Sequence, residues 1–307
     1  MTASERFHAS LQGPKPLLLD GPMGTQLLAS GFHVERDLRG SELGLVALNL
    51  TRSDQVQAVH ESYLEHGARA LRTHTFAAHR EQLGPLDLTE DGARVHAAAM
   101  LAAREAAEFW CEEGAPPAFL LGTLGPSVEP GADPGRLASS AEGIREQVRW
   151  LADDCEALLF ETFSDVPTLE AALGAARSEA PDLPIAVSVT TNSEGKLYGL
   201  GDLKAVADVA QRNSVGLLAV NCGAGSRALS VPLEQLRDYW SGPLGAWPNV
   251  GTAESLETPQ EFADSLTAIA SRLDLRAIGA CCGALPAHLA ALSCALDLPL
   301  PRNPLDS

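Results

Sequence analysis

The chain has no apolar run approaching the ~18 residues of a membrane-spanning helix, so no segment is expected to cross a bilayer. Residues 1–12 carry Glu5, Arg6 and His8 and lack the apolar stretch of a secretory signal, which makes the cytoplasm the expected compartment. Basic residues are scarce: 22 Lys and Arg face 40 Asp and Glu, a formal net charge of −18. Phosphate backbones and anionic membranes need a basic surface, so neither nucleic acid nor membrane is an expected partner. An acidic field draws cationic or zwitterionic small molecules instead. There is no C-x2-C zinc ribbon and no strand-linked G-x-G-x-x-G, which removes two familiar binding architectures.

What is present is the composition of a globular chain with a sizeable core. Hydrophobic residues make up 45% and charged ones 20% of 307 residues, which excludes disorder and a disulfide-dense miniprotein. Short apolar runs recur at residues 16–20 (PLLLD), 68–75 (ARALRTHT), 118–124 (AFLLGTL) and 157–162 (ALLFET). Others follow at 184–190 (PIAVSVT), 215–222 (VGLLAVNC), 242–248 (GPLGAWP) and 275–282 (LRAIGACC). Each ends in polar, Gly or Cys residues, as a buried parallel strand does on reaching the surface. Segments of helical character separate them, at 51–67, 90–113, 139–154, 167–178, 202–213, 232–240, 258–271 and 286–296. Val56, Val59, Tyr63 and Leu64 share one face of the first, and Thr258 before Pro259 is an N-cap with proline at the first helical position. Strands and helices in strict alternation, with no break in composition, predict an α/β fold: a single TIM-type (β/α)8 barrel domain over residues 1–307. A doubly wound open sheet is the alternative.

Such barrels carry their chemistry at the C-terminal ends of the strands. Those ends hold Asp20; Thr73, His74 and Thr75; Glu161 and Thr162; Asn221 and Cys222; Trp247 and Asn249; and Cys281 with Cys282. The cysteines are the sharpest feature. Random placement of six cysteines gives ~0.1 adjacent pairs, so the pair at 281–282 is unusual. Strands six and eight stand two apart around a barrel, near enough for Cys222 to converge with it. Cys111, Cys155 and Cys294 fall in helical segments and read as small buried apolar residues, a reading also open for the other three. In a reducing compartment all six are thiols or metal ligands rather than bridges. Three thiolates select zinc and leave a fourth position open, as a catalytic site does. Such a complex keeps one negative charge and is a poor source of hydroxide. It suits an exchangeable fourth thiolate, whose pKa falls while its sulfur stays nucleophilic, as S-alkylation requires. Asp20 and Glu161 at the same rim suit a substrate ammonium; as solvated or N-capping carboxylates they would do nothing of the kind, and the residues alone leave both open.

The sequence resembles the homocysteine S-methyltransferase family in seven segments that come in family order and cover nearly the whole chain. They are DGPMGTQL at 20–27, THTFAA at 73–78, LGTLGPS at 121–127, ETFSDVPTLEAAL at 161–173, VNCG at 220–223, WPNVG at 247–251 and GACCGALPAHL at 279–289. The resemblance implies a methionine-forming methyltransferase whose zinc is held by Cys222, Cys281 and Cys282, with homocysteine thiolate as fourth ligand. It also implies substrate contacts from Asp20, Gly21, Thr75 and Glu161, direct in-line transfer to sulfur, and a supporting role for Asn221 beside Cys222. Three positions depart from the family pattern: Pro22 replaces a second glycine and removes a backbone donor, Ala280 precedes the cysteine pair, and His74 stands where asparagine is common.

The methyl donor is less legible. Similarity to the stand-alone enzymes using S-methylmethionine favours a sulfonium donor, S-methylmethionine or S-adenosylmethionine, and the absence of a long extension after Leu300 argues against the betaine branch, whose members resemble this barrel with an added arm. A betaine donor calls for an aromatic cage; aromatics are 5% of the chain and only Trp247 stands at a strand end. The loop at 125–135, with Glu129 and Asp133, is either a donor cover or an ordinary surface loop. A corrinoid- or folate-partnered enzyme, a homo-oligomer and, in another class, a non-catalytic zinc-binding docking module are left open.

Overall fold

The computed structural model describes residues 3–38, 40, 42–111, 117–252, 254–298 and 300. Its centre is a ring of parallel strands: β1 (Leu17–Leu18), β2 (Ala70–Arg72), β3 (Phe119–Leu124), β4 (Ala157–Phe163), β5 (Ile185–Val189), β6 (Leu217–Cys222) and β7 (Leu244–Pro248). The hairpin strands β8 (Gly251–Thr252) and β9 (Ser255–Leu256) follow, then the last barrel strand, β10 (Leu275–Ile278). Around the ring the order is β1-β10-β7-β6-β5-β4-β3-β2. A parallel bridge between Leu19 and Ala70, flanked by Arg69 N–H to Leu18 O and Asp20 N–H to Ala70 O, joins β1 to β2. The ring is closed, so the fold is the expected (β/α)8 barrel and not an open sheet.

Side chains alternate along each strand, and the two faces bury different things. Leu17, Leu19, Ala70, Phe119, Leu121, Ala157, Leu159, Ala186, Leu217, Ala219, Trp247 and Ala277 fill the barrel interior. The intervening residues, among them Leu18, Leu71, Leu120, Leu158 and Val187, pack outward against the helices. Small residues opposite large ones let a narrow barrel fill without a pore.

The helices form where the spacing places them. Helix Ser53–Glu65 buries Val56, Val59, Tyr63 and Leu64. Gly92–Phe109 realises most of the expected 90–113 helix, whose residues 112 and 113 lie outside the described residues. Pro134–Leu151 begins earlier than expected because Asp133 caps it, accepting from the N–H groups of Gly135 and Arg136. Pro259–Leu273 opens with a capping box between Thr258 and Glu261. Among the additional helices, Ala3–Ser10 lies under the barrel, where Phe7 and Leu11 complete the interior cluster and Phe7 meets Phe119 edge to face at 5.7 Å between ring centres. Among the described residues no helix is long and apolar enough to cross a membrane.

Candidate active site

Continuing the strand alternation one step above the apolar interior gives a polar layer. Arg72, Thr123, Glu161, Ser188 and Asn221 stand two residues beyond Ala70, Leu121, Leu159, Ala186 and Ala219, so they face inward at the C-terminal end of the barrel. Two strands break the alternation there. Thr162 (φ +64°) and Cys222 (φ +59°) have left-handed backbones, and the pairing of β4 with β5 shifts register between Phe160 and Phe163. Such irregularities re-aim side chains. Consecutive residues, Glu161 with Thr162 and Asn221 with Cys222, consequently serve one site. Asn221 Nδ2 donates to Thr162 Oγ1 at 2.7 Å and to Cys222 Sγ at 3.4 Å, tying the two strained strand ends together.

Cys222, Cys281 and Cys282 converge, with all three Sγ atoms within 4.8 Å of one another. The Cys222–Cys281 separation is 3.1 Å and the Cys281–Cys282 separation 3.9 Å. Tetrahedral zinc with bonds of ~2.3 Å needs sulfurs ~3.8 Å apart, so the trio fits a metal with small adjustments. Its electrostatics agree. Hydrogen bonds from Cys222 and Cys281 pull the Cys282 thiol down to about 3, while hydrogen bonding with Cys222 and Cys282, and burial, hold Cys281 well above its usual range. Three thiolates this close would repel one another, so a cation among them would favour the ionised form of all three. Gly223 (φ +73°) and Gly283 (φ +81°) follow the ligand positions and turn the chain away from the sulfurs in a conformation costly for other residues.

Beside the thiols lies a buried charge cluster. Arg72, 7% exposed, donates through Nε to Asp20 Oδ1 at 2.7 Å and through Nη1 to Glu161 Oε1 at 2.6 Å. Its Nη2 reaches the carbonyls of Asp20 and Ala280 at 2.9 and 2.8 Å. Burial raises the Asp20 carboxyl to about 6 despite the guanidinium, and the two carboxylates keep Arg72 well above its usual value against its own burial. Arg72 is not among the strand-end residues expected from the sequence, and Thr162 is among them without a role. The signal for Arg72 was available, since it is a charged residue at an inward-facing position of an otherwise apolar strand.

The other expected residues take varied places. Thr75 is fully buried and donates to Thr123 O at 2.7 Å, so its hydroxyl ties β2 to β3. Gly21 packs under Tyr63, where a Cβ would lie 2.5 Å from the ring. Pro22 stands at the N-cap position of helix Met23–Ala29 without a side-chain cap, and its carbonyl accepts from Tyr63 Oη at 3.2 Å. His74 exchanges hydrogen bonds with Asn49, and burial lowers its pKa to about 4. Ala280 adopts no left-handed backbone, so alanine sits there without strain. Trp247 is buried in the barrel interior and is no wall of an aromatic cage. Asp133 is occupied as a helix cap and Glu129 is exposed, so the 125–135 loop presents no built carboxylate pocket. Two clefts of ~350 and ~610 Å3 lie at the opposite end of the barrel, away from the thiols.

Fold and site together define a class: a (β/α)8 barrel in which three thiols that could hold a metal ion converge at the C-terminal ends of the strands, next to a buried ion cluster. The sequence profile of the homocysteine S-methyltransferase family matches residues 17–296, and the chain belongs to that family. It is 29% identical over 292 residues to the methionine synthase of Mycobacterium tuberculosis and 28% identical to that of Mycobacterium leprae. Each match covers 90% of this chain and 24% of the relative, so the chain spans about a quarter of the length of these proteins. Among solved structures it is similar to the Escherichia coli homocysteine methyltransferase MmuM in its metallated form. The TM-score is 0.76 at 24% identity, over 93% of this chain and 98% of that one, a likeness of fold.

Proposed function

We propose that the protein transfers a methyl group to the thiol of homocysteine, giving methionine, with zinc held by Cys222, Cys281 and Cys282. The observation that carries this reading is the convergence of the three thiols at the catalytic face, beside Asp20, Arg72 and Glu161, in a chain of this family. Zinc held by these three cysteines would act as a Lewis acid, lowering the pKa of an incoming thiol while leaving its sulfur nucleophilic.

The remaining tasks fall to the chain. Two carboxylates and one guanidinium leave a net negative charge for the acceptor's ammonium. Asn221 steadies Cys222, as groups hydrogen-bonded to metal ligands do. The filled barrel beneath the site keeps water out from below, which favours transfer over hydrolysis. The donor in this reading is a sulfonium, S-methylmethionine or S-adenosylmethionine, drawn in by the chain's acidic field and attacked in line by sulfur. The reading places the protein in the cytoplasm, where thiols stay reduced. A second reading is favoured by the length of the mycobacterial relatives: the chain activates the acceptor, and a partner protein delivers the methyl group.

Metal analysis of reduced protein, coupled to transfer assays, tests this. Homocysteine is offered with S-methylmethionine, S-adenosylmethionine and betaine in parallel. About one zinc per chain with turnover on a sulfonium is the expected result. Zinc and homocysteine binding without turnover on any small donor would move the conclusion to the partnered reading. Zinc that never accepts a thiol would leave only a docking module, and carefully reduced protein without zinc would overturn the site.

A further inference from the structure

Asp20 and Glu161 are not equivalent. Both oxygens of Asp20 are taken, Oδ1 by the Arg72 guanidinium and Oδ2 by the Arg72 backbone N–H at 3.0 Å, and its side chain is 3% exposed. Glu161 gives only Oε1 to Arg72, and its side chain is 11% exposed. A carboxylate 3% exposed, with a donor already on each oxygen, leaves little room for a ligand's donor, whereas the second oxygen of the more exposed Glu161 still lacks one. A second acceptor lies nearby. Asn221 Oδ1 is buried without a partner, while its Nδ2 holds Thr162, the neighbour of Glu161.

We propose that Arg72 is a positioning residue for acceptor recognition: it withdraws Asp20 from ligand binding and fixes Glu161 so that the free carboxylate oxygen alone reads the acceptor's ammonium. This rests on the homocysteine reading above and replaces its shared Asp20–Glu161 contact with a division of labour. Asp20 and the carbonyl of Ala280 hold the guanidinium, and the guanidinium aims Glu161. Because Ala280 precedes Cys281, one side chain also couples the ammonium subsite to the thiol rim.

The test is calorimetric binding of homocysteine and of 4-mercaptobutyrate, the same thiol acid without the amino group, to zinc-loaded protein. Wild type, Glu161→Gln, Asp20→Asn and Arg72→Lys are compared, with zinc content read for each. Glu161→Gln is expected to weaken homocysteine at least ~10-fold and leave 4-mercaptobutyrate unchanged, the loss of one charge-assisted hydrogen bond. Asp20→Asn is expected to change both ligands by the same factor. Arg72→Lys keeps the charge but not the fork, and is expected to weaken homocysteine selectively, by less than Glu161→Gln does. A selective loss in Asp20→Asn as large as in Glu161→Gln would overturn the proposal, as would an Arg72→Lys protein with wild-type preference. If Arg72→Lys does not fold, the Asp20→Asn and Glu161→Gln pair decides. Wild-type protein that binds zinc but neither thiol would instead defeat the homocysteine reading, and the proposal with it.

Discussion

Replacing Thr162 with glycine should separate the stability of the protein from its metal site. A β-branched residue at φ +64° costs about 1–2 kcal/mol that glycine does not incur. Against that gain stand the extra chain entropy of glycine, about 0.5–1 kcal/mol, and the Asn221–Thr162 hydrogen bond at 2.7 Å, about 0.5–1.5 kcal/mol. The opposing contributions nearly cancel, so thermal unfolding should shift by no more than a few degrees. The site does not share that cancellation. Asn221 Oδ1 already lacks a partner, and without Thr162 Oγ1 the amide keeps only the 3.4 Å contact to Cys222 Sγ to orient it. Loss of such outer partners lowers metal affinity about 10–100-fold. Competition with a calibrated zinc chelator, run beside a melting curve, reads both effects on one preparation. Unchanged zinc affinity, or destabilisation beyond ~3 kcal/mol, would refute the reasoning that Thr162 is strained in order to hold Asn221.

Other expectations follow from the same geometry. Cys222→Ala, Cys281→Ala and Cys282→Ala should each lose zinc retention and methyl transfer together; a variant that keeps full activity after losing a ligand would dismiss the trio as a metal site. Gly21→Ala should destabilise by roughly 1–3 kcal/mol, because its methyl would lie 2.5 Å from the Tyr63 ring, and an unchanged melting temperature would mean that the ring moves freely. His60 is fully buried with both ring nitrogens unpartnered, and burial, with His74 and Arg72, lowers its pKa from 6.5 to about 3. Its folded pKa lies below the unfolded one, so its contribution to stability is complete above pH 6.5 and falls as pH drops toward 3, by about 1.4 kcal/mol per pH unit. Asp20 has the opposite sign: its contribution is present below 3.8 and lost as pH rises through about 6. Urea midpoints of metal-free protein at pH 7 and 5 should fall less steeply in His60→Leu than in wild type; equal slopes would count against the buried neutral histidine.

The barrel was legible because each strand is an apolar run ending in polar or small residues, and Asp133 and Thr258 show how caps refine the helix ends. The cysteine trio could be read because it sits at strand ends that topology alone brings together. The ion cluster could not be read as easily. Asp20 and Glu161 stood out as carboxylates at the rim, but Arg72 was hidden among apolar neighbours, and only its inward position reveals its ties to both. Thr75 and Trp247 show the opposite limit: a polar or aromatic residue at a strand end can be buried below the rim, and the sequence does not state the depth. The left-handed backbones at Thr162 and Cys222 carry no glycine to announce them, so the way consecutive residues share the site emerges only in three dimensions.

The short helix Ala3–Ser10 closes the far end of the barrel with Phe7 and Leu11, below an interior already filled by Trp247 and its neighbours. A vessel stoppered from beneath has a single doorway. On the homocysteine reading proposed above, acceptor and donor would share that mouth, and a molecule seated against Arg72 and Glu161 would have to enter before a second one stood over it. On that reading, a plug at the opposite end from the thiols would impose the order of arrival and departure.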